Sequence, residues 1–502
     1  MESSSSSSQK SSSLRILMFP WLAHGHIFPY LELSKRLLNY KIRNSSSFDI
    51  HLCSTPINFT SINHFLQAHN LQNSINLIEL HLQQQQQQSA DNSIDQLIPP
   101  HYHTTKNLPP NLILPLIKAF QTAKTSFSHI LDTLNPNLVI FDVFQPWAAT
   151  TASSKGIPAV HFSVVGAATR SYLHHRYSRH DDNFPFPELC LDNFERQTLD
   201  HAVEFLRKNV FGHDQDVYFL NYKLSTEFAL LKTTEAFEGK YLTYASSALD
   251  KKLLPVGPLV TPPKYDVIEN SKNSDIIRWL SKKEEHSTVY ISFGSEHRLS
   301  KQEIEEIAKG LLVCEANFIW VLRLLPPLME DDEKQETLIE ELSLPEGFLD
   351  RVSDRGLVVT DWAPQAEVLG HSSIGAFLSH CGWSSVMESL YFGVPIVGMP
   401  MAINMFVDAR MMVDNGVCLR VNYVSGSRKE EEDDDDDDDD DVNGIIWYRG
   451  EDIGEAIGEA IVGKLGEKMR KRVAELRLKM QMEEEEAIAV VANHLCQICT
   501  RN

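Results

Sequence analysis

A histidine and an aspartate in the first half of the chain have the side chains needed to remove a proton from a hydroxyl group. His26 follows an apolar run in "LRILMFPWLAHGH", and Asp142 ends the run "LVIFD". A neutral imidazole, with an ordinary pKa of about 6.5, can act as a general base near neutral pH. A carboxylate bound to its other ring nitrogen would fix the tautomer and stabilise the imidazolium. His24 is a competing base, and each of these residues could instead be structural, in a turn or at a helix end.

The stretch "FLSHCGWSSVMES" (377–389) has the pattern of a strand that runs into a helix. Unpaired N–H groups and the positive end of the helix dipole favour an anion there, beside His380, Ser384 and Ser385. Glu388 lies one turn further into the helix, where its carboxylate would repel a phosphate. It is better suited to accept hydrogen bonds from a diol such as ribose.

Two further loops offer groups to the same kind of ligand. Ser295 ends "ISFGS" and could give a hydroxyl and an N–H to a phosphate. Trp362 follows "GLVVT" and could stack on a base whose edge Gln365 and backbone groups would read, although such an aromatic residue can equally belong to the core. Base, diol and diphosphate together describe a nucleoside diphosphate.

Short apolar runs separated by helical stretches must position these residues. The runs span 14–19, 48–54, 75–80, 138–142 and 158–164 in the first half, and 287–295, 318–323, 356–360, 374–380 and 394–400 in the second. Such runs, rich in Val, Ile and Phe, are typical of strands buried on both faces of a parallel sheet. The pattern predicts two doubly wound α/β domains, with ligands beyond the carboxyl ends of the strands.

Changes of composition divide the chain into five parts. We predict a disordered head (1–13), a first domain (14–252), a linker rich in Pro and Gly (253–274), a second domain (275–480) and a C-terminal helix (481–502). An unbroken acidic run, 430–441, is interpreted as a solvated insertion in the second domain.

Composition excludes several functional classes. The formal net charge of the 502 residues is −22, and no basic patch indicates nucleic-acid binding. No run of about 18 apolar residues predicts a membrane span. The seven cysteines are odd in number and scattered, and the N-terminus has no apolar segment of a secretory signal. These features predict reduced thiols and a cytoplasmic protein, and we expect a monomer.

Residues 362–405, "WAPQAEVLGHSSIGAFLSHCGWSSVMESLYFGVPIVGMPMAINM", resemble the signature box of plant family-1 UDP-dependent glycosyltransferases. "GHIFP", "FDVFQPWAA" and "ISFGS" resemble the catalytic and phosphate-binding segments of that family, so the resemblance covers nearly the whole chain. It implies a GT-B fold, in which two Rossmann-like domains face each other across a cleft. The acceptor would lie mostly on the first domain and the donor mostly on the second.

The resemblance also implies roles for individual residues. His26 would be the general base of an inverting transfer, oriented by Asp142, and no metal or other cofactor would be required. On the donor side, Trp362 would stack on uracil, with Ala363 and Gln365 at the base and ribose, and Glu388 would hold the ribose. Ser295, His380 and Ser385 would contact the diphosphate. The donor-binding set is completed by Trp383, Ser384, Asn404 and Met405.

Three positions depart from the family pattern. Ser384 replaces the usual Asn, which would weaken a phosphate contact or pass it through water. Asn404 and Met405 replace the closing Asp-Gln, which hydrogen-bonds the hydroxyls of glucose. A site left with an unpaired group typically loses about 1–3 kcal/mol per contact. The departures therefore favour UDP-rhamnose, a 6-deoxy sugar donor, ahead of UDP-glucose in an altered pose and a UDP-pentose.

The acceptor is predicted from two stretches. "MFPWLAHGHIFPYLELSKRL" and "FQPWAA" are similar to the branch of the family that adds a sugar to an existing glycoside of a flavonoid or terpenoid. With the donor argument, this predicts a flavonoid-glycoside rhamnosyltransferase. A dinucleotide-dependent oxidoreductase is disfavoured because no G-x-G-x-x-G follows the first strand. A sugar-nucleotide-binding protein without activity is the other alternative, against which the presence of both His26 and Asp142 argues.

Overall fold

The computed structural model describes residues 13–40, 47–82, 98–179, 184–211, 219–263, 274–294, 297, 299–322, 344–360, 362–401, 404–426 and 445–501. The predicted acidic insertion, most of the predicted head and Ser295 lie outside these residues.

The first domain is built on a sheet of seven parallel strands in the order β3-β2-β1-β4-β5-β6-β7. Most of its strand residues are buried, as expected for a sheet covered by helices on both faces. Its strands are β1 (Ser13–Phe19), β2 (Ser47–Ser54), β3 (Ile75–Glu79), β4 (Leu138–Phe141), β5 (Ala159–Ser163), β6 (Phe228–Leu231) and β7 (Lys252–Pro255).

The second domain has six parallel strands in the order β10-β9-β8-β11-β12-β13. They are β8 (Thr288–Ser292), β9 (Asn317–Val321), β10 (Gly356–Val359), β11 (Ile374–Ser379), β12 (Ile396–Gly398) and β13 (Cys418–Arg420). A small antiparallel pair, β14 (Val424–Gly426) and β15 (Ile445–Trp447), lies outside this sheet. The predicted architecture of two doubly wound α/β domains is confirmed.

Helices connect the strands and cover the sheets. Those of the first domain are His24–Asn39, Phe59–Ala68, Ile113–Gln121, Lys124–Leu134, Pro146–Ser153, Ala167–His174, Asn193–Leu206, Leu220–Leu224 and Glu235–Ala248. Those that follow are Ser274–Leu280, Lys301–Val313, Phe348–Val352, Gln365–Leu369, Trp383–Phe392, Met405–Asp414, Gly450–Val462 and Lys464–Arg501. Short 3-10 turns occur at Pro56–Asn58, Pro100–Tyr102, Pro110–Leu112 and Pro187–Leu189, and π turns at His175–Arg179 and Arg207–Phe211.

The elements differ from the predicted boundaries at three places. Strand β1 begins at Ser13, inside the predicted head, because its first residues pair with β2. Strand β7 extends to Pro255 by pairing with β6, so the first sheet includes the beginning of the predicted linker. The C-terminal helix begins at Lys464 rather than at 481. Its last part packs against the core of the first domain through Ile488, Val491, Ala492, Leu495 and Ile498.

A shared apolar core and an ion cluster hold the two domains together. One continuous cluster of buried side chains contains Ala167 and Tyr241 of the first domain with Met387 and Phe406 of the second. At its edge lies Glu195, whose carboxylate has no exposed surface. It accepts hydrogen bonds from the Arg410 guanidinium, 2.6 and 2.9 Å away, and forms an ion pair with Arg420. We call Glu195, Arg410 and Arg420 the interdomain clasp.

Within the ranges given above, none of the helices has both the length and the apolar composition needed to cross a membrane.

Candidate active site

The structure brings His26 and Asp142 together beyond the carboxyl ends of two neighbouring strands in the first sheet. Strands β1 and β4 are neighbours, and their last residues, Phe19 and Phe141, are partners in the register. Asp142 follows β4 directly, and His26 lies in the first turn of helix His24–Asn39, which follows β1. Nδ1 of His26 is 2.7 Å from Oδ2 of Asp142. The predicted pairing of the two side chains is therefore present.

Asp142 is held as an ionised carboxylate. Its side chain is fully buried and accepts hydrogen bonds from the backbone N–H groups of Trp21 (3.0 Å) and Val143 (2.7 Å). Burial alone would raise the pKa of this carboxyl. The electrostatic interaction and hydrogen bond with His26, together with the two N–H donors, outweigh burial and lower the pKa of Asp142 below its ordinary value. A carboxylate in this state can orient the imidazole and stabilise its protonated form.

His24, the competing base, occupies a different environment. Its side chain is buried, and its ring packs edge-on against Phe28 with 5.2 Å between the ring centroids. The hydrogen bond to Asp142 is made by His26 instead, whose side chain keeps 19% of its surface exposed. Of the two histidines, His26 therefore has the environment of a general base.

His380 lies where β8 and β11 end side by side. Ser292 and Ser379, their last residues, are partners in the register. A Cβ atom on Gly294 would stand 2.9 Å from the His380 ring, and one on Gly382 would stand 2.4 Å from it. Two glycines thus leave the space that this ring fills. Burial lowers the pKa of His380 to about 3, so the imidazole is neutral at ordinary pH and can donate one N–H.

A second group of predicted residues meets beside the same helix start. Nε2 of Gln365 donates to Glu388 Oε2 at 2.5 Å and to the Ser385 hydroxyl at 3.4 Å. Oε1 of Gln365 accepts a 3.4 Å hydrogen bond from the Tyr290 hydroxyl. Burial raises the pKa of Glu388, against the opposing influence of Gln365 and Lys232. These contacts hold the Glu388 carboxylate in place one turn inside helix Trp383–Phe392.

Trp362 and Ala363, which were both predicted at the donor site, differ in exposure. The Trp362 residue is 56% exposed, which is unusual for a large aromatic residue in a folded domain. Ala363 is buried. An indole with so much open surface offers a face on which a planar base can stack.

Trp383 lies in the interface between the domains. Its indole is buried, donates from Nε1 to the backbone oxygen of Lys232 at 2.6 Å and stacks on Phe237. A Cβ atom on Gly166 would approach the indole to 2.7 Å. The side chain predicted to belong to the donor site thus packs against the first domain, and its backbone N–H is the group that remains at the helix start.

Ser384 contacts Lys232, a residue that had not been predicted from the sequence. Its hydroxyl accepts a 3.0 Å hydrogen bond from Nζ of Lys232. Lys232 directly follows β6, so it stands at the carboxyl edge of the first sheet and reaches across to the second domain. In the sequence, Lys232 could have been noticed as the first polar residue after the apolar run "FALL". That run was not predicted as a strand.

Asn404 and Met405 lie where the second domain meets helix Ala167–His174 of the first. Nδ2 of Asn404 donates to Asp408 Oδ2 at 3.0 Å, and Thr169 Oγ1 donates to the other Asp408 oxygen at 2.7 Å. Met405 packs against the shared interdomain core. The Asn404 amide is therefore engaged with a neighbouring carboxylate, which limits the contacts that it could make with a sugar.

Comparison with known proteins places the chain among enzymes. Residues 268–432 match the family described as UDP-glucoronosyl and UDP-glucosyl transferase. The chain is 38% identical to the flavanone 7-O-glucoside 2''-O-beta-L-rhamnosyltransferase of Citrus maxima, over 97% of this chain and 98% of that protein. It is also 38% identical to the beta-D-glucosyl crocetin beta-1,6-glucosyltransferase of Gardenia jasminoides, over 96% of this chain and 98% of that protein.

A solved structure supports the same fold. The crystal structure of a UGT transferase from Siraitia grosvenorii in complex with UDP matches with a TM-score of 0.70 at 21% identity, covering 96% of this chain and 100% of that one. The two parallel-sheet domains thus have the GT-B fold that the resemblance implied. By fold and by similarity over nearly its full length, the chain belongs to the plant family-1 UDP-glycosyltransferases.

Proposed function

We propose that this UDP-glycosyltransferase is an inverting enzyme that transfers rhamnose from UDP-rhamnose to a sugar hydroxyl of a flavonoid glucoside. The contact of 2.7 Å between His26 and Asp142 carries the catalytic part of the proposal, because it turns a histidine at the cleft into an oriented base. The alternative is a UDP-glucose- or UDP-pentose-dependent enzyme that extends a flavonoid or terpenoid glycoside.

The chemical step uses the His26–Asp142 pair of the first domain. Nδ1 of His26 is engaged by Asp142, so Nε2 takes the proton of the acceptor hydroxyl. The acceptor oxygen forms a bond to the anomeric carbon from the side opposite UDP. The bond between that carbon and the β-phosphate oxygen breaks, and UDP leaves with the electron pair. Asp142 stabilises the imidazolium while the sugar inverts at its anomeric carbon.

Residues of the second domain would hold the nucleotide. Trp362 stacks on uracil, with Ala363 and Gln365 beside the base and ribose. Glu388 accepts hydrogen bonds from the ribose hydroxyls, using an orientation that Gln365 already fixes. The start of helix Trp383–Phe392 provides N–H donors for the diphosphate, together with His380 and Ser385. We assign Ser295 to the same site from the sequence alone.

The proposal includes no metal requirement. The positive end of helix Trp383–Phe392 would stabilise the negative charge of the departing diphosphate. Activity in excess EDTA equal to that in buffer is the expected result, and restoration of a lost activity by a divalent cation would contradict this part of the proposal.

The donor proposal rests on Asn404 and Met405. The Asn404 amide is engaged by Asp408, and Met405 presents a thioether in place of an amide. This pair offers fewer hydrogen bonds to a hexose hydroxyl than a carboxylate and an amide would, and a thioether tolerates a methyl group. Relatives at equal identity carry rhamnosyl and glucosyl names, so overall similarity does not choose between the donors.

The acceptor domain contains buried polar atoms that suit a hydroxyl-rich ligand or water. Gln145 Oε1, Arg170 Nε, Asn221 Oδ1 and the Tyr222 hydroxyl have no hydrogen-bond partner among the described residues. Gln145 lies three residues after Asp142, and Asn221 donates to the backbone oxygen of Val143 at 2.8 Å, so part of this set adjoins the proposed base. Groups of this kind are normally satisfied by ordered water or ligand.

A matrix of donors and acceptors tests the proposal. The purified enzyme would be assayed with UDP-rhamnose, UDP-glucose and UDP-xylose against flavonoid monoglucosides and their aglycones. We expect the highest kcat/KM with UDP-rhamnose and a glucoside, and a clear preference for UDP-glucose would overturn the donor assignment. Preference for aglycones would overturn the acceptor assignment and leave the donor result intact.

Two variants examine the origin of donor choice. In the double variant Asn404→Asp/Asp408→Asn, the carboxylate and the amide of one contact change places at constant charge. Combined with Met405→Gln, it returns hydrogen-bonding groups to both sugar-recognition positions. We expect the ratio of UDP-glucose to UDP-rhamnose turnover to rise about tenfold or more, because each regained contact is worth about 1–3 kcal/mol.

A further inference from the structure

Lys232 is a buried cation of the first domain that the proposed chemistry has not yet used. It follows β6 and is 3% exposed, and a fully buried lysine is rare unless its ammonium group is paired. Among the described residues, its Nζ atom donates to the Ser384 hydroxyl at 3.0 Å, a neutral acceptor. No carboxylate of the described residues lies within ion-pair distance of its Nζ atom. The ammonium group thus lacks the anion that would normally compensate its burial.

Glu388 does not supply that anion directly. It lies near enough to favour the charged form of Lys232, but its carboxylate bonds to Gln365. Glu32 also favours the charge, and Arg36 opposes it. Burial outweighs these influences and lowers the pKa of Lys232 to about 8, so the side chain is mostly an ammonium group near pH 7.

The position of the ammonium group indicates which part of a ligand it would meet. Ser385 and Glu388 both contact Gln365 and mark the ribose side of helix Trp383–Phe392. Ser384 turns the other way, toward Lys232 and the first domain. In UDP the distal phosphate is the phosphate farther from the ribose, so it would lie on the Ser384 side of this helix start. His380, at the same helix start, has a buried Nδ1 atom without a hydrogen-bond partner among the described residues. It is a second polar group that a ligand could satisfy.

We propose that Lys232 is a diphosphate-binding residue contributed by the acceptor domain, and that its ammonium group pairs with the distal phosphate of UDP beside Ser384. The inference rests on the proposed function only in that the ligand carries UDP; it does not depend on which sugar is transferred. When the bond to the anomeric carbon breaks, negative charge grows on the distal phosphate, so Lys232 would stabilise the leaving group as well as the bound donor.

This role gives a reason for Ser384. A longer side chain at this position could reach the phosphate itself, whereas the short serine leaves space that the lysine from the other domain enters. The phosphate contact weakened by the shorter side chain of Ser384 is thus replaced by a contact with the Lys232 ammonium group. Because Lys232 belongs to the first domain, its contact with the phosphate also makes donor binding depend on how closely the two domains approach each other.

Affinities for UDP, UMP and uridine test the inference without any transfer reaction. Isothermal titration would compare the wild type with Lys232→Met, which keeps length and apolar volume but removes the charge, and with Lys232→Arg, which restores a cation. We expect Lys232→Met to weaken UDP binding about 10- to 100-fold, as for loss of a charged partner worth about 1.5–3 kcal/mol. UMP should weaken by less than threefold, uridine should not change, and Lys232→Arg should recover part of the UDP affinity.

Controls separate binding from folding. The exposed Lys118 supplies the matched variant Lys118→Met, which should leave all three affinities unchanged. Ser384→Ala should produce a smaller loss with the same selectivity for UDP, because it removes the contact that positions the ammonium group. An unchanged UDP affinity in Lys232→Met, or an equal loss for UDP, UMP and uridine, would overturn the inference. Failure of the rhamnose assignment would leave these affinities unaffected.

Discussion

His26 and Asp142 meet because the strands that precede them are neighbours with their last residues in register. The side chains are 116 positions apart in the chain, and Nδ1 of His26 is 2.7 Å from Asp142 Oδ2. The geometry assigns different functions to the two ring nitrogens. Nδ1 is bound by a buried carboxylate, and Nε2 is the atom with which the ring can accept a proton.

Replacing either residue of this pair should reduce turnover without removing donor binding. For His26→Ala we expect kcat to fall about 100- to 10,000-fold, the usual contribution of a general base. Asp142→Asn should also lower kcat strongly, since an amide can hold the wrong tautomer of the ring and cannot stabilise the imidazolium. Stopped assays at saturating donor would measure kcat, and titration with UDP should give wild-type affinity. Unchanged turnover in His26→Ala would exclude His26 as the base.

The sequence predicted the fold well where the apolar runs were long. Of the 15 strands in the described residues, ten were expected, whereas β6, β7 and β13 of the two main sheets and the small pair of β14 and β15 were missed. Each missed strand has only three or four residues, and none was recognised as part of a longer apolar run. The equally short β12 was recognised because it lies within the apolar run 394–400. The omission of β6 also concealed Lys232, since a residue directly after a strand attracts attention only when the strand is recognised. The pair of His26 and Asp142 was predictable because both residues follow strongly apolar strands.

Contacts between the domains could not be read from the sequence. The Trp383 indole was expected on the donor side, but its place depends on Gly166 and Lys232 of the other domain. Glu195 and its two arginines are more than 200 positions apart. Each side chain alone has the pattern of an ordinary surface charge, and only the docking of the domains makes the cluster visible.

Arg170 should affect the acceptor rather than the nucleotide. It is 4% exposed, its Cζ atom lies 5.9 Å from the centroid of the Tyr222 ring, and its Nε atom has no partner within the described part of the chain. For Arg170→Met we expect kcat/KM for the glycoside to fall about tenfold or more, as when a group that bonds a substrate hydroxyl is lost. UDP affinity should be retained. A parallel loss of UDP binding, or wild-type kinetics with the glycoside, would contradict this role.

The interdomain clasp should contribute strongly to stability. Glu195→Ala removes a carboxylate with no exposed surface and leaves Arg410 and Arg420 without their shared partner. Breaking a buried pair in this way typically costs about 3–5 kcal/mol, since the remaining charges stay desolvated. We expect a clear fall in Tm by differential scanning calorimetry.

The exposed pair of Arg472 and Glu475 supplies the control for Glu195→Ala, because Glu475→Ala should change stability by about 0–1 kcal/mol. Equal effects of the two variants would contradict the argument.

Asp408 should make stability depend on pH in the direction opposite to that of most carboxylates. Burial raises its pKa to about 7, Glu238 adds to the increase, and the hydrogen bonds of Thr169 and Asn404 and the charge of Arg170 oppose it. The ordinary pKa of an aspartate is 3.8, so between these two values the folded protein holds a proton that the unfolded chain releases. The contribution of Asp408 to the free energy of unfolding therefore falls as the pH rises from about 4 to about 7.

The variant Asp408→Asn stays neutral throughout this range, so the stability that it gains over the wild type should be small at pH 4, grow with pH and level off above pH 7. Calorimetry of both proteins at several pH values would measure this difference, with the exposed Asp354→Asn as a control that should run parallel to the wild type. A difference between wild type and Asp408→Asn that does not vary with pH would mean that Asp408 titrates in the folded protein as it does in the unfolded chain.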